Sequence, residues 1–421
     1  MDDTMHVVHP RAAGLDIHKM AITATVRLAQ PGGTAVNDTR EFSALPSGLA
    51  AMTDWLLEME VDAALMEGTG IYWEAPFDAL ADAGITATLV HARQVKQIKG
   101  RKTDVADSVW LARLCQFGLA SPSLVPDRHF RDLRAQCRYR RTLVQRRSQI
   151  RTRVQKIIDR AGVRIGGILT DIFGTNGRRI LDGLCRGDDR QVILDSLSGH
   201  VRGKLEQLGD ALTLTLGDSN RLLLVDLMEE FDSLVARERR LSGRIRDGLA
   251  PWNERIRLLT TIPGIDEASA CAIFAEIGPD LDAFPSADHL AAWAGLCPGN
   301  NESGGKRRSG RAVRGNKYLR STLAECAQGA ARTKGCQFQG YHKSLMIRRG
   351  YKRAVIATAH KMLRVIHSLL RSGRPYHDPV VNHEELMVHK NAPRWIRMLK
   401  EYGQLPPPIE ITIAHGPKTV H

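Results

Sequence analysis

Along the first quarter of the chain, apolar runs and acidic residues follow one another in an order that few folds accept. A short apolar run, Ala12 to Ile17, reads as a strand with Asp16 near its end. A second strand, Ala21 to Leu28, is followed by a polar turn and a third near Arg40 to Ala44. An amphipathic helix, Ser47 to Met59, leads to the buried-type strand Val61 to Met66, which delivers Glu67 at its end. Another helix, Trp73 to Ala83, precedes the strand Thr86 to Val90. The basic stretch His91 to Lys102 then runs into a helix that opens near Asp104, with Asp107 three positions on and so on the same helical face.

Three strands, helix, strand, helix, strand, helix is the element order of a ribonuclease H-like (RuvC-like) α/β domain. In that order Asp16, Glu67, Asp104 and Asp107 each fall where one metal site needs a carboxylate. Hard divalent ions such as Mg²⁺ take oxygen ligands, few of them from protein, with phosphate oxygens completing the shell. Two such ions about 4 Å apart can activate an attacking oxygen and stabilise a leaving one in phosphodiester chemistry. Singly, each acid reads as an ordinary surface residue; the joint placement carries the metal reading.

Charge points the same way. The net charge of +14 over 421 residues favours a polyanionic partner. The chain is long enough for two or three domains. Its seven cysteines include no CxxC pair, which argues against a zinc site or disulfide framework and for a reducing compartment. No apolar run approaches a membrane span and no signal peptide opens the chain, so an intracellular, soluble protein is expected.

From Arg128 to Arg164 there are 13 Lys/Arg and two acids, Asp132 and Asp159. Leu133, Val144, Ile150, Val154, Ile157 and Ile158 recur at roughly helical spacing, which reads as a long helix with an apolar face for a partner helix. Its other face, with Arg134, Arg138, Arg141, Arg147 and Arg151, is expected to meet phosphates. A second helical tract, about Arg190 to Arg246 and interrupted near Gly217, suits a helical hairpin or coiled coil with the first. Beyond Pro251, the string Ile262-Pro263-Gly264-Ile265 before the helix Glu267 to Ile277 has a helix-hairpin-helix pattern, whose turn can offer backbone N–H groups to a phosphate.

A further focus is Asn300 to Gly310, with Ser303 followed by two glycines. Seven Lys/Arg lie between Lys306 and Arg320: Lys306, Arg307, Arg308, Arg311, Arg314, Lys317 and Arg320. On residue chemistry alone the plainer reading, a flexible basic loop that only grips phosphate, stands first. The sharper one makes Ser303 a nucleophile among cations that stabilise a phosphorane-like transition state.

Five strings carry a family resemblance. They are Gly14-Leu15-Asp16-Ile17-His18-Lys19, Met66-Glu67-Gly68-Thr69-Gly70-Ile71-Tyr72-Trp73, and Lys102-Thr103-Asp104 with Asp107. Ile262-Pro263-Gly264-Ile265 follows, then Ser303-Gly304-Gly305-Lys306 with Arg314-Gly315-Asn316-Lys317-Tyr318-Leu319-Arg320. The chain resembles the bridge-RNA-guided insertion-sequence transposases, also called DEDD transposases, which pair a RuvC-like domain with a serine-bearing transposase domain. The resemblance implies four segments: a RuvC-like domain at 1–125, a basic coiled-coil linker at 126–250, a mainly helical transposase domain at 251–375 and a peripheral tail at 376–421. It implies that Asp16, Glu67, Asp104 and Asp107 bind Mg²⁺ and that Ser303 is the nucleophile, with Ser309 as the fallback. Lys102 joins the arginines as a nucleic-acid contact; His18 and Lys19 would at most orient phosphate. Tyr72 and Trp73 are expected to pack the helix that follows Glu67.

The implied partners are donor and target double-stranded DNA, a structured bridge RNA and further copies of the chain, a dimer assembling to a tetramer. The implied setting is the bacterial cytoplasm, on the nucleoid when bound to DNA. Two departures stand out: Glu302 occupies a position where the family usually has a second serine, and the region from about Gly162 to Asn220 is longer than the family norm. Two other classes are weighed beside this one. A structure-specific nuclease would cleave with water at the acidic site, and a catalytically silent scaffold would tolerate loss of any acid.

Overall fold

The computed structural model describes residues 6–31, 34–68, 70–91, 107–297, 301–303, 306–309, 315–379 and 383–404. The chain divides into two compact units, 1–126 and 127–421.

The first unit is a five-stranded sheet with helices on both faces. Its elements are β1 (Arg11–Ile17), β2 (Ala21–Ala29), β3 (Ala35–Ser43), α1 (Pro46–Glu58), β4 (Ala63–Glu67), α2 (Glu74–Asp82), β5 (Thr86–Val90) and α3 (Asp107–Gln116). The strand order is β3-β2-β1-β4-β5, with β2 antiparallel to both neighbours and β1, β4 and β5 mutually parallel. This is the ribonuclease H-like topology that the element order implies. β1 and β4 are buried on both faces, so their sequences are continuously apolar instead of alternating. Ala13, Leu15, Ile17, Ala64 and Met66 face α1 and α2, whose Met52, Trp55, Leu56 and Leu80 cover them. Ala12, Ala63, Leu65 and Val90 face α3 through Trp110, Leu111, Leu114 and Cys115.

β3 starts five residues before the expected Arg40. It is the edge strand, largely exposed, so no apolar alternation marks it in sequence. Its hold on β2 includes the Thr25–Thr39 hydroxyl pair at 2.9 Å.

α3 lies so close to β1 that only glycine fits at position 14. A Cβ there would stand 2.1 Å from both the Ser108 carbonyl oxygen and the Ala112 nitrogen. Gly14→Ala must push the helix off the sheet, and we expect a loss of at least about 2 kcal/mol. A urea midpoint shifted downward at unchanged m checks this.

Among its described residues the second unit is helical apart from one small hairpin. α4 (Arg128–Arg160) runs antiparallel to α8 (Asp218–Leu249), the pairing fixed at one end by His129 Nε2 and the Gly248 carbonyl, 2.9 Å apart. Between them come α5 (Thr175–Arg186), α6 (Arg190–Asp195) and α7 (Leu205–Ala211). After them come α9 (Asn253–Thr260), α10 (Glu267–Ile277), α11 (Ala287–Trp293), β6 (Asn301–Ser303), β7 (Lys306–Ser309), α12 (Lys317–Arg332), α13 (Gln337–Arg349), α14 (Tyr351–Ser372) and α15 (His383–Glu401).

The linker and the transposase segment are not separate bodies. At the base of the α4–α8 hairpin, Phe130, Leu133, Cys137, Ile245 and Leu249 belong to the same core as Phe274, Leu319 and Met362. Phe130 packs edge-on against Trp252 at 4.9 Å and Phe274 at 5.9 Å between ring centroids. The expected division near residue 250 therefore cuts through a packed core. At the other end, Ile150, Val154, Ile158, Leu224 and Met228 share a second core with Val163, Ile180, Leu181, Ile193 and Leu208. The 162–220 region is thus a helical cap built on the hairpin's tip. Its short helices α6 and α7 replace the continuous helix expected between Arg190 and the interruption near Gly217. The tail is also more regular than expected, since α15 lies within it.

Candidate active site

Asp16 and Glu67 are neighbours by register. β1 and β4 pair in parallel with Leu15 opposite Met66, so the next step along both strands sets Asp16 beside Glu67. Adjacent strands stand about 4.8 Å apart. Side chains alternate across a sheet. Ala12 and Gly14 face α3, and so Asp16 does; Ala63 and Leu65 face it, and so Glu67 does.

The direction of α3 brings Asp107 to the same edge. Its last residue, Gln116, receives bonds from Arg27 Nε at 2.8 Å and Val8 N at 2.9 Å, near the start of β1. Its Ser108 Oγ accepts from Thr25 Oγ1 at 2.9 Å, level with Gly14. α3 therefore runs antiparallel to β1, and Asp107, in its first turn, lies toward the ends of β1 and β4 that carry Asp16 and Glu67.

Asp104 and Lys102 lie outside the described residues. Among the described residues no three Asp, Glu, His or Cys side chains stand close enough to hold an ion. What is present suits a hard divalent cation: two carboxylates side by side at a sheet edge, partly open to solvent, with a third on the facing helix. His18 Nε2 lies 3.4 Å from Asp16 Oδ2. Trp73 packs edge-on against Phe77 at 5.7 Å, as expected, but Tyr72 is exposed.

Ser303 sits in a β-hairpin instead of the expected loop. β6 and β7 pair antiparallel, with Ser303 opposite Lys306 and Asn301 opposite Ser309. Ser303 thus stands at the inner end of the ladder, beside residues 304–305, and Ser309 at its base. Two runs separated by Gly-Gly are a hairpin signal that could have been read from the sequence. Lys306, Arg307 and Arg308 lie on β7; Arg311 and Arg314 fall outside the described residues.

The neck of this segment is tightly closed. Asn316 N donates to the Trp293 carbonyl at 3.0 Å, and a Cβ on Gly315 would stand 2.3 Å from Gly295 N. Lys317 opens α12 with its Nζ 5.0 Å from the Tyr318 ring centre, and Arg320 is half-buried.

The long basic helix corrects the sequence reading most. Arg134 is 8% exposed and points inward, with Nε donating to the Ala275 carbonyl at 3.0 Å and Nη2 to that of Glu276. Burial, opposed by Glu276, brings its pKa down to about 10, so it stays charged at neutral pH. Arg138 grips the Glu276 carboxylate through Nε at 2.8 Å and Nη2 at 2.9 Å. Arg141 pairs with Glu325, Arg147 with Glu238 and Arg151 with Asp171. The excess of base over acid along the tract misled because the matching acids come from other parts of the chain. The solvent-facing cations are others: Arg146, Arg153, Lys156 and Arg160 are exposed and form no ion pair among the described residues, and 146, 153 and 160 recur at a spacing of seven.

The Pro-Gly turn at 263–264 fares similarly. Asp266 Oδ1 accepts from Ser269 N at 2.8 Å and caps α10, so a carboxylate already occupies the helix start where a phosphate was expected.

Residues 13–162 match a family model for the DEDD transposases of IS110 type, described as transposase. Residues 256–343 match one described as transposase IS116/IS110/IS902 family. The chain carries transposase domains of the IS110/IS116 family. The first match holds the acidic edge and α4; the second holds the serine hairpin and its neck. Among similar proteins, a probable family 20 transposase of Pseudomonas aeruginosa is 33% identical over 35% of this chain and 44% of its own length. A pilin gene-inverting protein of Moraxella bovis is 34% identical over 30% and 39%. The transposase for insertion sequence element IS1111A of Coxiella burnetii is 33% identical over 30% and 36%. The chain therefore spans less than half the length of these curated relatives. A Thermus thermophilus RuvC structure is also similar, at 15% identity and a TM-score of 0.21, over 27% of this chain and 99% of that one.

Proposed function

We propose that this chain is the transposase of an IS110-type insertion sequence, a DNA strand-cleaving and strand-joining enzyme directed by a structured noncoding RNA. The observation that carries the reading is the presence, within two matched transposase domains of one chain, of adjacent sheet-edge carboxylates and a serine at the inner end of a basic hairpin. Asp16, Glu67, Asp104 and Asp107 would hold Mg²⁺, which supplies charge neutralisation at the scissile phosphate. Ser303 Oγ attacks phosphorus, its proton leaves, and the phosphodiester bond to the 3′-oxygen breaks. The products are a phosphoserine link and a free 3′-hydroxyl, and the reverse reaction with a new 3′-hydroxyl joins strands. Lys306, across the ladder from Ser303, and the cations near it offset the charge that builds on the phosphate.

Sequence choice by base pairing asks the protein for backbone contacts more than base-edge contacts. The exposed stripe on α4 is suited to that task. Replacing Arg153 and Lys156 with alanine should lower the slope of log affinity against log salt by about 2 at most. Arg147→Ala should leave that slope unchanged and lower the melting temperature, because it removes one of the two arginines, with Arg140, that pair with buried Glu238. Filter binding across a salt series, with melting curves, checks both. Assembly as a dimer and then a tetramer completes the proposal.

The test combines full-length protein, Mg²⁺, the RNA encoded beside the element, and matched donor and target DNA. New donor–target junctions, detected by amplification and lost after ribonuclease treatment, are the expected result. Nicked DNA without junctions, unaffected by ribonuclease, would instead identify a water-using nuclease.

A further inference from the structure

We propose that Glu276 is a positioning residue for the serine hairpin, acting through Arg138 and Asn316 on the neck of the 296–314 segment. The inference rests on the reading of Ser303 as nucleophile. Glu276 is 2% exposed, a buried carboxylate on α10. Its Oε1 and Oε2 take both prongs of Arg138 from α4, and its Oε2 also accepts from Asn316 Nδ2 at 2.7 Å. Arg134 Nε stands 3.7 Å from the same Oε2.

Asn316 uses every polar group it has at this point. Its Oδ1 accepts from Tyr318 N at 3.0 Å and Leu319 N at 3.1 Å, which starts α12. Its Nδ2 reaches Glu276, and its backbone N–H closes the neck on Trp293. The Arg138 guanidinium also lies over the Tyr318 ring at 4.3 Å. Three helices, α4, α10 and α12, therefore meet at one carboxylate, beside the closure of Asn316 on Trp293.

An apolar contact of equal volume would hold three helices together as well or better, since ions pay heavily for burial. What the polar cluster adds is direction. The fork of Arg138 and the amide of Asn316 fix the rotation of α12's first turn, and with it the position of Gly315 at the neck. A nucleophile must sit within a fraction of an ångström of its phosphate, and misplacement by about 1 Å can cost about 100-fold in rate. The closed neck at Gly295 and Gly315 leaves little slack to absorb an error at Asn316.

Two single variants and their combination test this in the full-length protein with Mg²⁺, RNA and matched DNA. Asn316→Asp keeps the helix cap, because Asp caps as well as Asn, but it replaces the amide donor with a second carboxylate. Glu276→Gln keeps shape and removes the charge. In the double variant the Gln amide can donate to the Asp carboxylate, restoring the link with its polarity reversed. For each single variant we expect the rate of covalent adduct formation at saturating DNA to fall by about 10- to 100-fold, with Kd for DNA within about twofold of wild type. The double variant should recover most of the rate.

Single variants as fast as wild type would overturn the proposal. So would a double variant no faster than either single one, with melting temperature and Kd degraded throughout, which describes a merely structural role. A wild type that forms no adduct at all would overturn the serine reading and this inference with it.

Discussion

Ser303→Ala is expected to abolish the protease-sensitive protein–DNA adduct and to lower recombination by at least about 1,000-fold, since no other group can take the place of a covalent nucleophile. DNA binding should persist, because the hydroxyl contributes nothing to the protein's net charge. The ladder separates the two serine candidates. Ser303 pairs with Lys306 at the inner end of the ladder, whereas Ser309 pairs with Asn301 at its other end, beside a bulge. A residue at a hairpin's inner end can be carried into a DNA groove; one at its base stays near the body of the protein. Ser309→Ala should accordingly keep most of the activity, with adducts still forming at Ser303. A denaturing gel of the three proteins, each incubated with matched DNA and RNA, reads all of this directly.

Asp16→Asn and Glu67→Gln should each lower strand cleavage by about 1,000-fold or more, as expected where a charged ligand of a catalytic metal is lost. Both substitutions preserve shape, and both residues are only partly buried at a sheet edge, so folding should survive. Chelation by EDTA should reproduce the loss in wild type, and added Mg²⁺ should reverse it there but not in the variants. Register makes the two acids neighbours on β1 and β4, both facing α3, so on the proposed reading they would hold one ion together. The double variant should therefore be little worse than either single one, a non-additivity that independent surface acids would not show. Mixing Asp16→Asn protein with Ser303→Ala protein extends the test. Recovered activity would mean that one protomer's acids serve another's serine.

Much of the first unit was legible because β1 and β4 are buried on both faces and Asp16 and Glu67 stand at their ends. The runs Ala12 to Ile17 and Val61 to Met66 read as buried strands, and their place in the element order points to the topology. The first half of β3 escaped because an edge strand needs no apolar pattern. The serine hairpin escaped because glycines and cations resemble a mobile loop when the two-residue spacing between paired runs is overlooked.

Partners distant in sequence were the harder loss. Nothing near Arg138 or Arg147 announces Glu276 or Glu238, so several arginines counted as open cations turn out to be paired within the fold. Conversely, Glu276 and Asn316 gave no signal of their own in the sequence. Their link exists only once α4, α10 and α12 pack, although the string Gly315-Asn316-Lys317-Tyr318 marked one side of it.

The most direct measurement is to trap the covalent intermediate on DNA that carries the scissile phosphate, digest protein and DNA, and locate the modified peptide by mass spectrometry. The account predicts a nucleotide attached through phosphate to Ser303, formed only with divalent metal and absent from the Asp16→Asn protein. A nucleotide on any other side chain, or cleaved DNA with no modified peptide, would contradict it.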